Sequence, residues 1–211
     1  GAALGELTAL RGKQDVAGSG FRESGEQNKP SSSGPNRGAL RGTAYHAVLE
    51  HIRFHEIHSL SEVKPVVDEL LENGFLDQEA RDFINPNVIW NFLSSSLGTR
   101  MAKAQAEGRI HKEQQFIIGI PAREMGLGDS DELVLIQGII DAYLEEEDGL
   151  VLIDYKTDHV PEGSPEQGAK MLAERYRVQL DYYERALTQL TEKHVKERII
   201  YSLALQMSIN V

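Results

Sequence analysis

Asp141, Asp154 and Lys156 close two apolar runs, QGIID and LVLIDYK, that flank the acidic turn EEEDG. In extended chain, residues two apart share a face, so Asp154 and Lys156 point the same way and Tyr155 the other. If the turn is Asp148-Gly149, Asp141 lies opposite Lys156. If the loop is 146–149, Asp141 lies opposite Asp154. Both registers put the two carboxylates and the lysine on one side of the hairpin. Directly opposed strand residues have Cβ atoms about 5 Å apart. Carboxylates that close repel unless a cation sits between them, and a divalent ion with oxygen ligands meets that need. With a lysine beside it, such a site can polarise a phosphate, activate water and neutralise charge, which is the chemistry of phosphodiester hydrolysis. The bland alternative is a surface ion-pair ladder worth under about 1 kcal/mol. The apolar residues on both faces before each aspartate favour a covered sheet whose charges emerge at one end.

The elements that must position these groups follow from periodicity. From Gly42, with Thr43 as N-cap, the spacing of Ala44, Val48, Leu49 and Ile52 predicts a helix to about residue 55. Further helices are expected near 61–73, 77–84 and 87–106. Extended runs are expected at 112–120, 132–145 and 150–157, then a helix at 167–191 and a last strand in ERIIYSLAL. Residues 17–38 are rich in Gly, Ser, Pro and Asn, which reads as a flexible linker after a short helix. The expected organisation is therefore 1–38 as short helix and linker, and 39–211 as one folded domain.

Composition narrows the function classes. With no cysteine among 211 residues, disulfides and Cys-ligated zinc or iron–sulfur clusters are excluded. The net charge of −11 is unevenly placed: residues 1–41 carry six basic against four acidic residues, and the remainder holds −13. That argues against a broad basic face for nucleic acid but not against a site where bound cations reverse the local sign. No apolar run approaches the roughly 20 residues of a membrane span, and no signal sequence opens the chain, so a soluble, cytoplasmic protein is expected.

Five ordered blocks, GTAYHAVLEHI (42–52), FLSSSLGTR (92–100), KEQQF (112–116), QGIIDAYLEEEDGLVLIDYKTD (137–158) and YRVQLDYYERAL (176–187), resemble the PD-(D/E)xK nuclease superfamily. Within it they resemble the C-terminal nuclease domain of the AddA/RecB subunits of bacterial helicase–nucleases, and AddA above all. The resemblance covers about 39–211. It implies a restriction-endonuclease-like α/β fold: a mixed central sheet flanked by helices, with a helical N-terminal annex.

The resemblance also implies roles. His46, Asp141, Asp154 and the Tyr155 carbonyl would hold Mg²⁺, for which Mn²⁺ substitutes; Asp141, Asp154 and Lys156 would be catalytic. Gln179 and Tyr183, one helical turn apart, and Tyr176 on the same face would touch DNA or order the lysine. Glu113 would be an accessory ligand or a group that orients one, and Glu50, four residues after His46, either anchors that histidine or lies on the helix surface. The implied activity is cleavage of single-stranded DNA in double-strand-break repair and recombination. The implied setting is a longer chain with an ATP-binding helicase portion and an AddB-type partner subunit. Two other readings stand beside it: a catalytically silent module that docks DNA or a partner, and a metal hydrolase acting on small phosphoesters. His51, His55 and His58 read as a solvated helix face, since no H-E-x-x-H pattern joins them. Arg175 and Arg177 are candidate phosphate contacts, and Tyr182 is expected to pack in the core.

Overall fold

A computed structural model describes residues 37–160 and 163–211. The short helix expected near the N-terminus, and all but the end of the 17–38 segment, lie outside the described residues.

Helix α1 (Arg37–His51) begins earlier than the spacing suggested, so Thr43 lies inside it and is not its N-cap. It ends before residue 55: Ile52 closes the last turn on the Val48 carbonyl, and a single 3₁₀ turn at Phe54–Glu56 follows. Next come α2 (Leu60–Glu72), α3 (Gln78–Phe83), α4 (Pro86–Leu93) and α5 (Ser96–Ala106). The span expected as one helix over 87–106 is two, because Ser95 caps a new helix by accepting from the Gly98 N–H. At Gly98 a Cβ would collide with the Phe92 carbonyl, so α4 and α5 meet closely at that glycine.

The sheet contains β1 (Ile110–Pro121), β2 (Leu133–Glu146), β3 (Gly149–Lys156), β4 (Val195–Ser202) and β5 (Met207–Asn210), in that spatial order. Neighbours are antiparallel except β3 and β4, which are parallel. Parallel pairing needs a crossover, and α6 (Pro165–Thr191) supplies it. Strand β5 is absent from the sequence reading: ERIIYSLAL runs on in apolar character, but β4 stops at Ser202 and a turn intervenes.

Helices α1–α5 cover one face of the sheet, packing on Ala142, Leu144, Val151, Ile153, Tyr155, Ile199 and Tyr201. Helix α6 covers the other, packing on Tyr143, Leu150, Leu152 and Ile200. Strand β3, the middle strand, is buried along its whole length. This is the mixed, helix-flanked sheet of a restriction-endonuclease-like α/β fold, and the helical annex carries His46.

Candidate active site

The β2–β3 ladder pairs Ala142 with Ile153 and Glu146 with Gly149, which is the register of the longer loop. Its turn is Glu147-Asp148, not Asp148-Gly149. Extending the ladder one step sets Asp141 level with Asp154. There the backbone pairing gives way to a side-chain bond, as the Tyr155 N–H donates to Asp141 Oδ2 at 2.8 Å.

One irregularity shapes this end of the sheet. In β1, Phe116, Ile118 and Ile120 face α6, yet Ile110, of the same parity, packs on the α1 side. In β2, Ile136 and Ile140 face α6, while Ala142 and Leu144 face α1. Both strands therefore change phase at the Glu113 and Asp141 level. Glu113 carries the distortion, with φ at +52°. A non-glycine residue held there costs about 1–3 kcal/mol and persists only where its surroundings enforce it.

The consequence is a cluster. One ligand atom each from His46, Glu113 and Asp141 lie within 4.8 Å of one another, and among the described residues this is the one such group of three. Helix α1 delivers His46, whose Nδ1 lies 3.1 Å from Asp141 Oδ1 and whose Nε2 lies 3.1 Å from the Tyr155 carbonyl oxygen. A carbonyl and an ionised carboxylate only accept, so the imidazolium, with both N–H groups, satisfies this pair where a neutral ring cannot. Burial works against charge on His46, but Asp141 overrides it and the pKa rises above the ordinary histidine value. Burial likewise works to raise Asp141. The charge and hydrogen bond of His46, then Lys156 and the Tyr155 N–H, bring it below the usual carboxylate range.

Asp154 differs. It is 1% exposed, and burial, reinforced by the charge of Asp141, pushes its pKa up to about 6 against the opposing effects of Lys156 and His46. Lys156 Nζ stands 2.7 Å from Asp154 Oδ2. That ion pair is the contact Oδ2 has, and no other group satisfies it. Burying a carboxylate beside a second one costs stability that a single lysine offsets only in part. Oxygen donors from Glu113, Asp141, Asp154 and the Tyr155 carbonyl, with an imidazole beside them, suit a hard divalent cation.

The lysine is held from the α6 side. Lys156 Nζ donates to Gln179 Oε1 at 3.1 Å, Gln179 Nε2 donates to the Tyr183 hydroxyl at 2.6 Å, and the ammonium lies 4.2 Å from the centre of the Tyr176 ring. The Tyr176 hydroxyl in turn donates to Asp158 Oδ1 at 2.7 Å. Helix α6 can present Tyr176, Gln179 and Tyr183 together because they recur at three- and four-residue spacing. Tyr182 packs at the edge of the α6-side core.

Several sequence candidates fall elsewhere. Glu50 does not anchor His46: both nitrogens of that ring face other acceptors, and the Glu50 carboxylate lies 3.8 Å from His51. Arg175 is engaged with Asp158 at 2.8 Å, and Arg177 is exposed. Glu113, an accessory group in the sequence reading, sits in the cluster itself. Asp158, which orients Tyr176, is missing from that reading, although it lies two residues past Lys156.

A model of the PD-(D/E)XK nuclease superfamily matches residues 20–209. Curated relatives include the ATP-dependent helicase/nuclease A-subunit of Lachnoclostridium phytofermentans, 38% identical over 83% of this chain and 15% of its own length. Proteins of the same name match from Clostridium novyi, 36% identical over 78% of this chain and 13% of theirs, and Ruminiclostridium cellulolyticum, 39% identical over 77% and 13%. The chain thus spans about one-seventh of the length of these relatives. A sheet that ends in paired buried aspartates and D-x-K, within a sequence matched almost throughout by one family, leaves a single conclusion: the chain belongs to the PD-(D/E)XK nuclease superfamily.

Proposed function

We propose that this domain hydrolyses phosphodiester bonds of single-stranded DNA with Mg²⁺, as the nuclease portion of an AddA-type helicase–nuclease. The observation that carries the reading is Asp154: a carboxylate 1% exposed, held beside the charge of Asp141 and paired with Lys156. His46, Glu113, Asp141, Asp154 and the Tyr155 carbonyl would hold the cation. When bound, it supplies Lewis acidity to the scissile phosphate and favours hydroxide over water.

The chain's own groups do the rest. Lys156, fixed by Asp154, Gln179 and the Tyr176 ring, orients the attacking water and offsets the negative charge that builds on the phosphate oxygens and the leaving oxygen as the P–O bond breaks. Gln179 and Tyr183 hold that ammonium in one place, so little reorganisation is needed at the moment of attack. Asp141, whose pKa lies below the usual carboxylate range, is a poor base for the proton of the water.

In the wider reading, a helicase portion of a longer chain feeds the strand, and an AddB-type protein is the partner in cytoplasmic double-strand-break repair and recombination. The names and lengths of the relatives support this setting. Net charge agrees: a chain at −11 holds DNA weakly by itself and needs a basic track from elsewhere. No described helix is long and apolar enough to cross a membrane.

The test is cleavage of end-labelled single-stranded DNA with Mg²⁺ or Mn²⁺, comparing wild type with Asp141→Ala. Cleavage by wild type alone is expected. Cleavage by neither, with no metal bound, replaces the nuclease by a docking module, and activity confined to small phosphate esters replaces the DNA substrate.

A further inference from the structure

Lys112 takes no part in the chemistry above, yet its ammonium reaches out of β1 to the end of α1. Nζ donates to the Glu50 carbonyl at 3.0 Å and the Ile52 carbonyl at 2.7 Å, and it lies 3.9 Å from the centre of the Phe54 ring. The last carbonyls of a helix lack intrahelical partners and form its negative pole. A lysine there satisfies both needs.

Its position gives the contact a second consequence. The next residue in β1 is Glu113, at the +52° kink, and α1 carries His46 little more than a turn before the capped carbonyls. Helix α1 packs mainly on α2 and α3, and β1 mainly on β2, so Lys112 spans two elements with little other contact. The ring beneath the ammonium is anchored too. Phe54 meets Phe92 edge-on at 5.8 Å, and Phe92 meets Tyr155 at 5.7 Å. Tyr155 is the residue whose carbonyl faces His46.

We propose that Lys112 is a positioning residue for metal binding, fixing the helix that bears His46 against the strand that bears Glu113. The inference rests on the nuclease reading, because it takes those two side chains as ligands of one cation. Outer groups that orient metal ligands typically change affinity about 10–100-fold when removed, whereas a helix cap alone changes stability and leaves the folded site as it was.

The test is Mn²⁺ titration of the whole chain by calorimetry, with cleavage measured across the same Mn²⁺ range. Lys112→Met keeps the apolar stem and removes the donors. It is expected to weaken Mn²⁺ binding about tenfold, with cleavage recovering at saturating Mn²⁺ to within about twofold of wild type and Lys112→Arg restoring most of the affinity. If Lys112→Met does not fold, Lys112→Gln takes its place in the same comparison. Folded Lys112→Met that binds Mn²⁺ as tightly as wild type, with only a lower melting temperature, reduces Lys112 to a cap and overturns the inference alone. Wild type that binds no Mn²⁺ overturns the nuclease reading and this inference together.

Discussion

The two ends of the β2–β3 hairpin both concentrate acid, and they treat it in opposite ways. At the turn, Glu146 receives two bonds from Arg100, at 2.6 and 2.8 Å, and lies 2.7 Å from Lys196. Glu145 pairs with Lys193 and, at 2.8 Å, with His111, and Asp148 pairs with Lys196. Arg100 above all holds Glu146 down at about 2. At the far end, Asp154 has less solvent and fewer partners, and its pKa moves up to about 6. Acids that serve only the fold are matched by cations and water. Asp154, buried with one lysine against it, is destabilising as it stands, and that cost makes sense where a cation binds.

Each lysine tests the contrast. Lys156 and Lys196 both sit against carboxylates, but only the first should matter to catalysis. Lys156→Met is expected to lower kcat for single-stranded DNA about 10³-fold, the scale of losing one preorganised charge-stabilising donor, with Mn²⁺ binding retained. Lys196→Met should stay within about twofold of wild type, the ordinary reach of a surface ion pair. Equal effects in a cleavage assay would erase the distinction between the two ends.

The next effect is smaller. Gln179→Ala removes the acceptor that holds Lys156, and a misplaced catalytic group costs about 10²-fold. The loss should appear in kcat while the Mn²⁺ titration midpoint is unchanged.

Stability should respond with opposite signs at the two ends. Asp154 has a folded pKa above its ordinary 3.8, so the folded protein binds the extra proton between about pH 4 and 6. The contribution is complete below about 3.8 and is lost as pH rises through about 6, at most about 3 kcal/mol at 1.36 kcal/mol per pH unit. Metal-free wild type should therefore lose melting temperature relative to Asp154→Asn as pH rises from 4 to 7, with Mn²⁺ restoring it. A constant gap between the two proteins would contradict the buried-charge account. Arg100→Met should cost about 1 kcal/mol, read by urea unfolding at pH 7, without altering cleavage.

Much of this was legible in the residues. Runs of Leu, Ile and Val and the EEEDG turn marked the hairpin, and three- and four-residue spacing marked the α6 face that gathers Tyr176, Gln179 and Tyr183. The hairpin register stayed open between two choices because both keep Asp141, Asp154 and Lys156 on one face. The phase change at Glu113 was invisible for a physical reason. Ile110, Phe116, Ile118 and Ile120 share parity, so alternation alone assigns them one face, and only the left-handed backbone at Glu113 sends Ile110 to the other. That hidden step brings Glu113 into the cluster. The start of α1 was obscured by Gly38 and Gly42, poor helix formers: the first read as the end of the linker and the second as the helix's start, although Gly42 has little room for a side chain beside Thr157.

The most direct measurement is anomalous scattering from a crystal soaked in Mn²⁺. The account predicts a peak bounded by the carboxylates of Asp141 and Asp154, within about 2.0–2.3 Å of their oxygens. A peak at the Glu145–Asp148 turn in its place, or none in a soaked crystal, would contradict the claim that the buried aspartates are held for a cation.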